Sequence, residues 1–327
     1  MGGKDELLER LRKAEGRWIS GESLSAKLAV SRTAVWKQIC KLREEGYEIQ
    51  SSPRKGYILR GVPDRLLPRE IRSGLQAKVF GRGKIIRFSE ADSTNSRAKE
   101  LAVRGAPEGT IVLAGKQTGG RGRRGRSWFS PEGTGLYVSL ILRPPVAPSE
   151  APKITLMTAV AVCDALVPFL PSSPRVKWPN DVLAGGKKIA GILTEISTEP
   201  DAVDYVVAGI GLNVNTPAGQ FPKEIRDRAT SLLVETGKTH SITVILRSLL
   251  ESFERNYGLF LEGKFPLLLE RWRTCAGIMG QYGRVDQVGR VLAGEIRDVD
   301  EDGFLLILDE KGRLHRIVSG DVHYLQR

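Results

Sequence analysis

Histidine and cysteine are scarce in this chain, three of each in 327 residues. Cys40, Cys163 and Cys275 stand far apart, form no C-x-x-C pair and are odd in number. That pattern excludes the common zinc frameworks and a disulfide scaffold, and it suits reduced thiols in a cytoplasmic setting. His240, His315 and His323 fall within no motif, so no Ser-His or Cys-His nucleophilic system is available. Uninterrupted apolar runs of the ~18 residues needed for a membrane span are missing. The N-terminal 1-MGGKDELLERLRK-13 lacks the apolar centre of a signal segment. Internal repeats and low-complexity tracts are absent as well. The expectation is a cytoplasmic protein with no membrane partner.

Basic charge is what the chain has in excess. Fifty Lys and Arg against 38 Asp and Glu give a net +12. An anionic partner follows, whether nucleic acid, nucleotide or acidic protein. With 41% hydrophobic and 27% charged residues the chain folds rather than stays disordered. Its length suffices for two or three domains.

Residues 1–62 read as a small helical module followed by a hairpin. Leu7, Leu8 and Leu11 form a short amphipathic stripe, and a second helix is expected over 22–29. A third starts at Ser31 as N-cap and stops at Gly46. Val35, Ile39 and Leu42, at i, i+4 and i+7, predict its buried face. The segment 47-YEIQSSPRKGYIL-59 then alternates, turns at Pro53–Gly56 and alternates again. This is the winged helix-turn-helix order, in which the start of the third helix enters the major groove. The candidate DNA-binding residues are Ser31, Arg32, Thr33 and Lys37, with Arg54 and Lys55 at the wing tip. The segment holds 13 Lys and Arg against 8 Asp and Glu, a net +5. The alternative is a protein-interaction module with a solvated basic face; the wing favours DNA.

The stretch 60-RGVPDRLLPRE-70 reads as a linker. Residues 63–273 mix strands (110–114, 136–142, 205–214) with a long helix at 153–170, whose apolar stripe is core. Hairpin-like connections make this α+β rather than doubly wound. Residues 274–327 carry runs at 291–299, 304–308 and 313–318 between Asp-Gly and Lys-Gly turns, the pattern of a small SH3-like β-barrel.

Within the middle segment, 120-GRGRRG-125 fits the letters of a dinucleotide-binding turn. That reading needs a helix next and an acidic ribose partner about 20 residues on. The chain instead continues 126-RSWFSPEGTG-135 into a strand, and 140-LILRPP-145 holds no acid. An arginine-glycine RNA-binding tract would be longer and repeated. A solvated basic loop remains as the plain alternative. Four crowded arginines repel, however, and glycines add no stability, so the loop suits closure over an anion through bidentate guanidiniums. Trp128 would offer a flat face to a purine.

The segment GRGRRGRSWFSP resembles the adenylate-binding loop of the biotin–protein ligases. So, in order and spacing, do 92-DSTN-95, Gln117, 177-KWPNDV-182, 187-KKIAGIL-193 and 209-GIGLNVN-215. With a winged helix in front and a small barrel behind, the resemblance covers nearly the whole chain. It is greatest to the bifunctional ligases that also repress biotin genes. Ser127 departs from the pattern, since a basic residue is common there in relatives.

The resemblance implies a two-step reaction without an enzyme nucleophile. Biotin and ATP give biotinyl-5′-AMP, and a lysine of a biotin carboxyl carrier protein, from acetyl-CoA carboxylase or a related carboxylase, then takes the biotin. Lys188, Arg121 and Arg123 are implied as catalytic. Ser93, Thr94, Asn95, Gln117 and Gly122 join those three in binding biotin. Arg124, Arg126, Trp128, Lys177, Asn180, Asp181 and Asn213 are implied for ATP, with Arg124 and Arg126 toward phosphates or loop contacts. Asp181 and Asn213 are the candidate Mg²⁺ ligands. Lys177 contacts phosphate or pairs with Asp181. From the letters alone, 92-DSTN-95 is also an ordinary helix cap, Lys188 also a solvated strand lysine, and the glycines of 209–215 also a turn or bulge. A ligand-promoted homodimer on operator DNA completes the reading. The alternatives are a ligase without a DNA role, a ligand-sensing transcription factor without catalysis, and a lipoate ligase, which the arginine loop disfavours.

Overall fold

The chain is described by a computed structural model covering residues 3–287 and 290–324. It divides into two compact units, Met1–Arg69 and Glu70–Arg327. In the first, α1 (Gly3–Lys13), α2 (Gly21–Leu28) and α3 (Arg32–Glu44) precede a hairpin of β1 (Glu48–Ser52) and β2 (Gly56–Gly61). Ser31 caps α3, its Oγ accepting from the Ala34 amide at 3.1 Å. The chain leaves the helix through Gly46, whose φ of +95° a side chain would oppose. Val35, Ile39 and Leu42 are fully buried and cluster with Leu7, Leu8, Leu11 and Leu24. Each such side chain contributes about 1.5–3 kcal/mol over an exposed one, which is what holds so small a unit together. The unit is the winged helix-turn-helix that the pattern predicts.

After α4 (Pro68–Arg72), the second unit opens with β3 (Ile85–Phe88), α5 (Thr94–Val103), β4 (Ile111–Ala114) and β5 (Gly135–Leu142). It continues through α6 (Ala151–Leu166), β6 (Arg175–Lys177), β7 (Asp181–Ala184), β8 (Lys187–Thr198) and β9 (Val203–Asn213). These strands form one sheet in the order β3-β4-β5-β9-β8-β7-β6. Only β3 and β4 run parallel. All eight residues of β5 are buried, which is why its sequence is a continuous apolar run rather than an alternation. Then follow α7 (Lys223–Arg226), α8 (Leu232–Thr236), α9 (Ile242–Leu261) and α10 (Phe265–Ala276).

Two neighbouring residues of β8 show how the sheet is covered. Thr194 Oγ1 lies 2.6 Å from Thr155 Oγ1 of α6, while Glu195 Oε2 accepts from Asn95 of α5 at 2.9 Å. Successive strand residues face opposite ways, so α5 and α6 lie on opposite faces. Among the described residues one helical stretch, Pro148–Phe169, is long and apolar enough to cross a membrane, although Lys153 and Asp164 interrupt its apolar run. In this fold 67% of its apolar window is buried, against β6 to β9 and beneath α9 and α10.

The second unit also contains an antiparallel sheet of SH3-like size, in the order β13-β12-β11-β10-β14. Its strands are β10 (Tyr282–Gln287), β11 (Arg290–Val299), β12 (Leu305–Leu308), β13 (Leu314–Ile317) and β14 (Asp321–Tyr324). Gly303 and Gly312 make the expected turns at positive φ. Between β12 and β13, Asp309 Oδ1 accepts from the amides of Lys311 and Arg313, and its Oδ2 lies 2.8 Å from His315 Nε2. Trp178 Nε1 donates to the Gly303 carbonyl at 3.1 Å, joining this sheet to the chain just after β6.

Candidate active site

Along one face of β9 the residues run Tyr205, Val207, Gly209, Gly211, Asn213. The first two pack beneath Ala98 and Ala102 of α5. The glycines follow because side chains occupy their space. A Cβ on Gly209 would stand 1.9 Å from Asn95 Oδ1, and one on Gly211 would stand 2.4 Å from Trp128 Nε1. Gly191, the partner of Gly211 on β8, has Trp128 at 2.9 Å. These glycines lie inside strands, so the turn-or-bulge alternative gives way to close approach. Above this floor opens a cavity of about 660 Å³, walled by Trp128, Arg123, Lys188, Asn180, Phe221 and Tyr324 among others. That is room for a small-molecule ligand.

Neutral hydrogen-bonding groups line one end. Ser93 is the N-cap of α5, but its hydroxyl makes no cap bond. Gln117 Oε1 accepts from the Thr94 amide at 2.8 Å and from its hydroxyl at 3.2 Å, and Gln117 Nε2 donates to Ser130 Oγ at 2.9 Å. Asn95 donates to the Leu193 carbonyl and to Glu195, and accepts from Ser139 Oγ at 2.6 Å. Its amide is thus committed to the protein at the cavity's edge. Ser130, Ser139 and Glu195 were not foreseen, since no local pattern sets them apart from ordinary strand and loop residues.

Charged groups line the other end. Lys188 Nζ lies 2.6 Å from Asp181 Oδ1 and 5.3 Å from the centre of the Trp128 ring. Lys187 beside it is exposed, as alternation along a strand requires. Lys177 is the cross-strand neighbour of Asp181, yet its ammonium sits over the Tyr324 ring at 5.7 Å. Burial holds this ammonium below its ordinary range, Lys188 adding to the effect and Asp181 opposing it. Asp181 therefore takes Lys188 as its partner, where pairing with Lys177 was one expectation. Asn180 donates to the Ile192 carbonyl at 2.7 Å, and Asn213, nearly buried, donates to the Thr230 carbonyl at 2.9 Å.

The arginine-rich segment forms a single 3₁₀ turn at Arg123–Gly125. Gly122 donates its amide to the Arg126 carbonyl at 2.7 Å. Arg121 Nη2 reaches Glu195 at 3.0 Å, and Arg123 Nη1 reaches Asn180 Oδ1 at 3.5 Å. Burial lowers the Arg123 pKa, an effect that Asp321 offsets and Arg124 reinforces. Arg124 and Arg126 both bond Asp321 of β14.

Asp181 is engaged by Lys188, and among the described residues no three His, Cys, Asp or Glu cluster to hold a metal. In the first unit, Ser31, Arg32, Thr33 and Lys37 are exposed on α3, as are Arg54 and Lys55 at the hairpin turn. The Ser31 hydroxyl is occupied by the helix cap. Trp36, 53% exposed on the same helix, was not anticipated.

Residues 88–213 match the biotin/lipoate A/B protein ligase family, residues 4–58 an HTH domain, and residues 285–323 the biotin protein ligase C-terminal domain. The bifunctional ligase/repressor BirA of Bacillus subtilis (strain 168) is 40% identical over 319 residues, 98% of each chain. A biotin–[acetyl-CoA-carboxylase] ligase of Mycobacterium tuberculosis is 33% identical over 273 residues, 80% of this chain and 98% of its own. Among solved structures, the biotin protein ligase from Aquifex aeolicus in complex with biotin and ATP is similar at a TM-score of 0.64 and 33% identity. It matches 75% of this chain and 99% of that one. A shared sequence along nearly the full length, with arginine turn, lysine and glycine floor gathered on one cavity, places the chain in the biotin protein ligase family, among its bifunctional ligase/repressors.

Proposed function

We propose that this chain joins biotin to ATP as biotinyl-5′-adenylate and passes the biotin to a lysine of a biotin carboxyl carrier protein. With the adenylate bound, it forms a homodimer whose two α3 helices bind operator DNA. The observation that carries the ligase reading is the convergence of Lys188, Arg123 and Lys177 on one glycine-floored cavity, with a neutral hydrogen-bonding group at its other end. Cytoplasmic action follows from the need for ATP and a carboxylase acceptor.

In the first step a biotin carboxylate oxygen bonds to the α-phosphorus and pyrophosphate departs with the bridging oxygen. Two anions must approach, and the fixed ammonium of Lys188 lowers that repulsion and stabilises the crowded phosphorus. Asp181 holds that ammonium through the 2.6 Å ion pair. Ser93, Thr94 and Gln117 suit the ureido ring, and Arg121 and Arg123 the reacting carboxylate and phosphate. Trp128, Arg124 and Arg126 suit the nucleotide. In the second step the neutral amine of the acceptor lysine attacks the acyl carbon, AMP leaves, and the amide nitrogen sheds its proton to solvent. Positioning and charge do the catalysis. Magnesium would neutralise phosphate charge, with Asp181 and Asn213 as candidate oxygen donors.

The DNA reading is supported by the net +5 of residues 1–62 and the exposed basic start of α3. One preparation tests both halves: incubate the protein with ATP, radiolabelled biotin and an acceptor domain, then measure operator retention. Labelled acceptor with ligand-dependent retention is the expected result. No label overturns the ligase reading, and label without retention leaves a ligase that does not regulate.

A further inference from the structure

Two of the three cysteines, far apart in the chain, meet in the fold. Cys163 lies on α6 and Cys275 near the end of α10, helices that pack against each other. Both are free, and their thiols are hydrogen-bonded to one another. Cys163 is buried and Cys275 half-buried. A thiol is a weak donor and a weak acceptor, so the pair adds little stability as a hydrogen bond. Its reactivity is the property that sets it apart.

Both cysteines line a second cavity, of about 670 Å³, large enough for a small molecule. It shares only Leu183 and Gly186 with the lining of the candidate active site, and none of that site's charged groups. Ser172, Ser173 and Thr274 bring hydroxyls to this cavity, and Arg175 and Asp164 bring its charges. Asp164 Oδ2 accepts from Arg271 at 2.6 Å and from Asn256 at 2.9 Å, so its charge is already met. Arg175 therefore leaves the described lining cationic. The hydrogen bond with Cys163 lowers the pKa of Cys275, Arg271 assisting while burial and Asp164 oppose. The same bond, with burial, holds the proton on Cys163. Attack on an incoming group falls to Cys275.

We propose that Cys163 and Cys275 form a thiol–disulfide exchange site for a small disulfide that carries carboxylates, with Cys275 attacking and Cys163 resolving. Cys275 gives its proton to solvent, and its thiolate attacks one sulfur of the small disulfide. That S–S bond breaks, a mixed disulfide forms on Cys275, and one small thiolate departs. Cys163 then loses its proton and attacks Cys275 Sγ, expelling the second small thiolate. The two protein thiols are oxidised to one disulfide, and the small disulfide is reduced to two thiols. Arg175 and the neighbouring hydroxyls hold the carboxylates of the incoming molecule. The bond formed joins α6 to α10.

The test treats the full-length reduced protein with oxidised glutathione near neutral pH, followed by trypsin without reductant and mass spectrometry. The expected product links peptide 154–175 to peptide 274–284. At early times Cys275 should react about three- to tenfold faster than Cys40, which is also half-buried. In Cys163→Ala the second step is lost, and glutathione should stay on Cys275. In Cys275→Ser, Cys163 should remain unmodified over the same period. Cystamine, whose ammonium groups replace the carboxylates, should lose the advantage of Cys275 over Cys40, and Arg175→Gln should narrow the difference between the two reagents. No link between residues 163 and 275 in the unmodified protein would overturn the site, as would a glutathione adduct that persists on its Cys275. Equal relative rates with both reagents would overturn the carboxylate preference. Should Cys163→Ala not fold, the linked peptide and Cys275→Ser decide the matter. Biotin and ATP are left out throughout, so failure of the ligase reading would not alter these results.

Discussion

Lys188 and Asp181 meet across the β7–β8 hairpin, ammonium to carboxylate at 2.6 Å, with the Trp128 ring 5.3 Å from the same nitrogen. The carboxylate and the ring give the ammonium two neighbours that favour its place on the cavity wall. That preorganisation lets one cation serve a reaction between two anions.

Lys188→Ala should leave the fold intact and slow adenylate formation about 10²- to 10³-fold, the cost of one preorganised charge. Lys187→Ala, one residue away on the solvent side, should react at nearly the normal rate. Pyrophosphate release under saturating biotin and ATP separates the two.

Gly211→Ala places a methyl group where Trp128 Nε1 now lies, at 2.4 Å, and must push the indole off the sheet. Overpacking of this kind costs about 1–3 kcal/mol. The variant should show a lower Tm, altered tryptophan fluorescence and an increased KM for ATP. Unaltered fluorescence and kinetics would mean that the indole does not seat on the strand.

Arg32→Ala and Lys37→Ala should each weaken operator binding and leave biotin transfer unchanged, since both residues lie in the first compact unit. An arginine reading a base edge is worth about 1–3 kcal/mol, and a lysine on phosphate should reduce the salt slope by about one. Gel shifts with and without biotin plus ATP, at several salt concentrations, provide the measurement. Analytical ultracentrifugation on the same samples tests the homodimer, which should form only with both ligands.

Asp309 ties the β12–β13 turn, and the hydrogen bond from His315, with help from the backbone amides of Arg313 and Lys311, lowers its pKa from 3.8 to about 2. A depressed carboxylate stabilises the folded state fully above its unfolded pKa and loses that contribution as pH falls through the folded value. Asp309→Asn should therefore lower the Tm at pH 6, and the gap to the unmodified protein should close between pH 3.8 and about 2. A gap that is the same at pH 2 as at pH 6 would contradict the charge argument.

The first unit was legible almost to the residue, because Ser31, Gly46 and the Val35–Ile39–Leu42 spacing are local signals of a helix start, stop and face. Strands β4, β5 and β9 were legible as apolar runs. The short β6 and β14 were not, since three or four mixed residues carry no period. The arginines and Lys188 stood out through their neighbours in sequence. The carboxylate partners of the arginines did not: Glu195 is 74 positions from Arg121, and Asp321 is 195 from Arg126. Only the pairing of strands brings such residues together. Alternation along 187–198 could have marked Glu195 as sharing the face of Gly191, but nothing near Asp321 hints at its neighbours.

The same separation matters while the protein is being made. A ribosome finishes the arginine turn 195 residues before it adds the carboxylate that bonds Arg126. Through that interval the nascent turn displays four arginine peptide bonds and no anion from the small sheet. A chain that stalls there presents an open, basic loop to any trypsin-like protease. The completed chain ties it to β14 through Asp321, an ion pair that a chain ending before residue 321 cannot make.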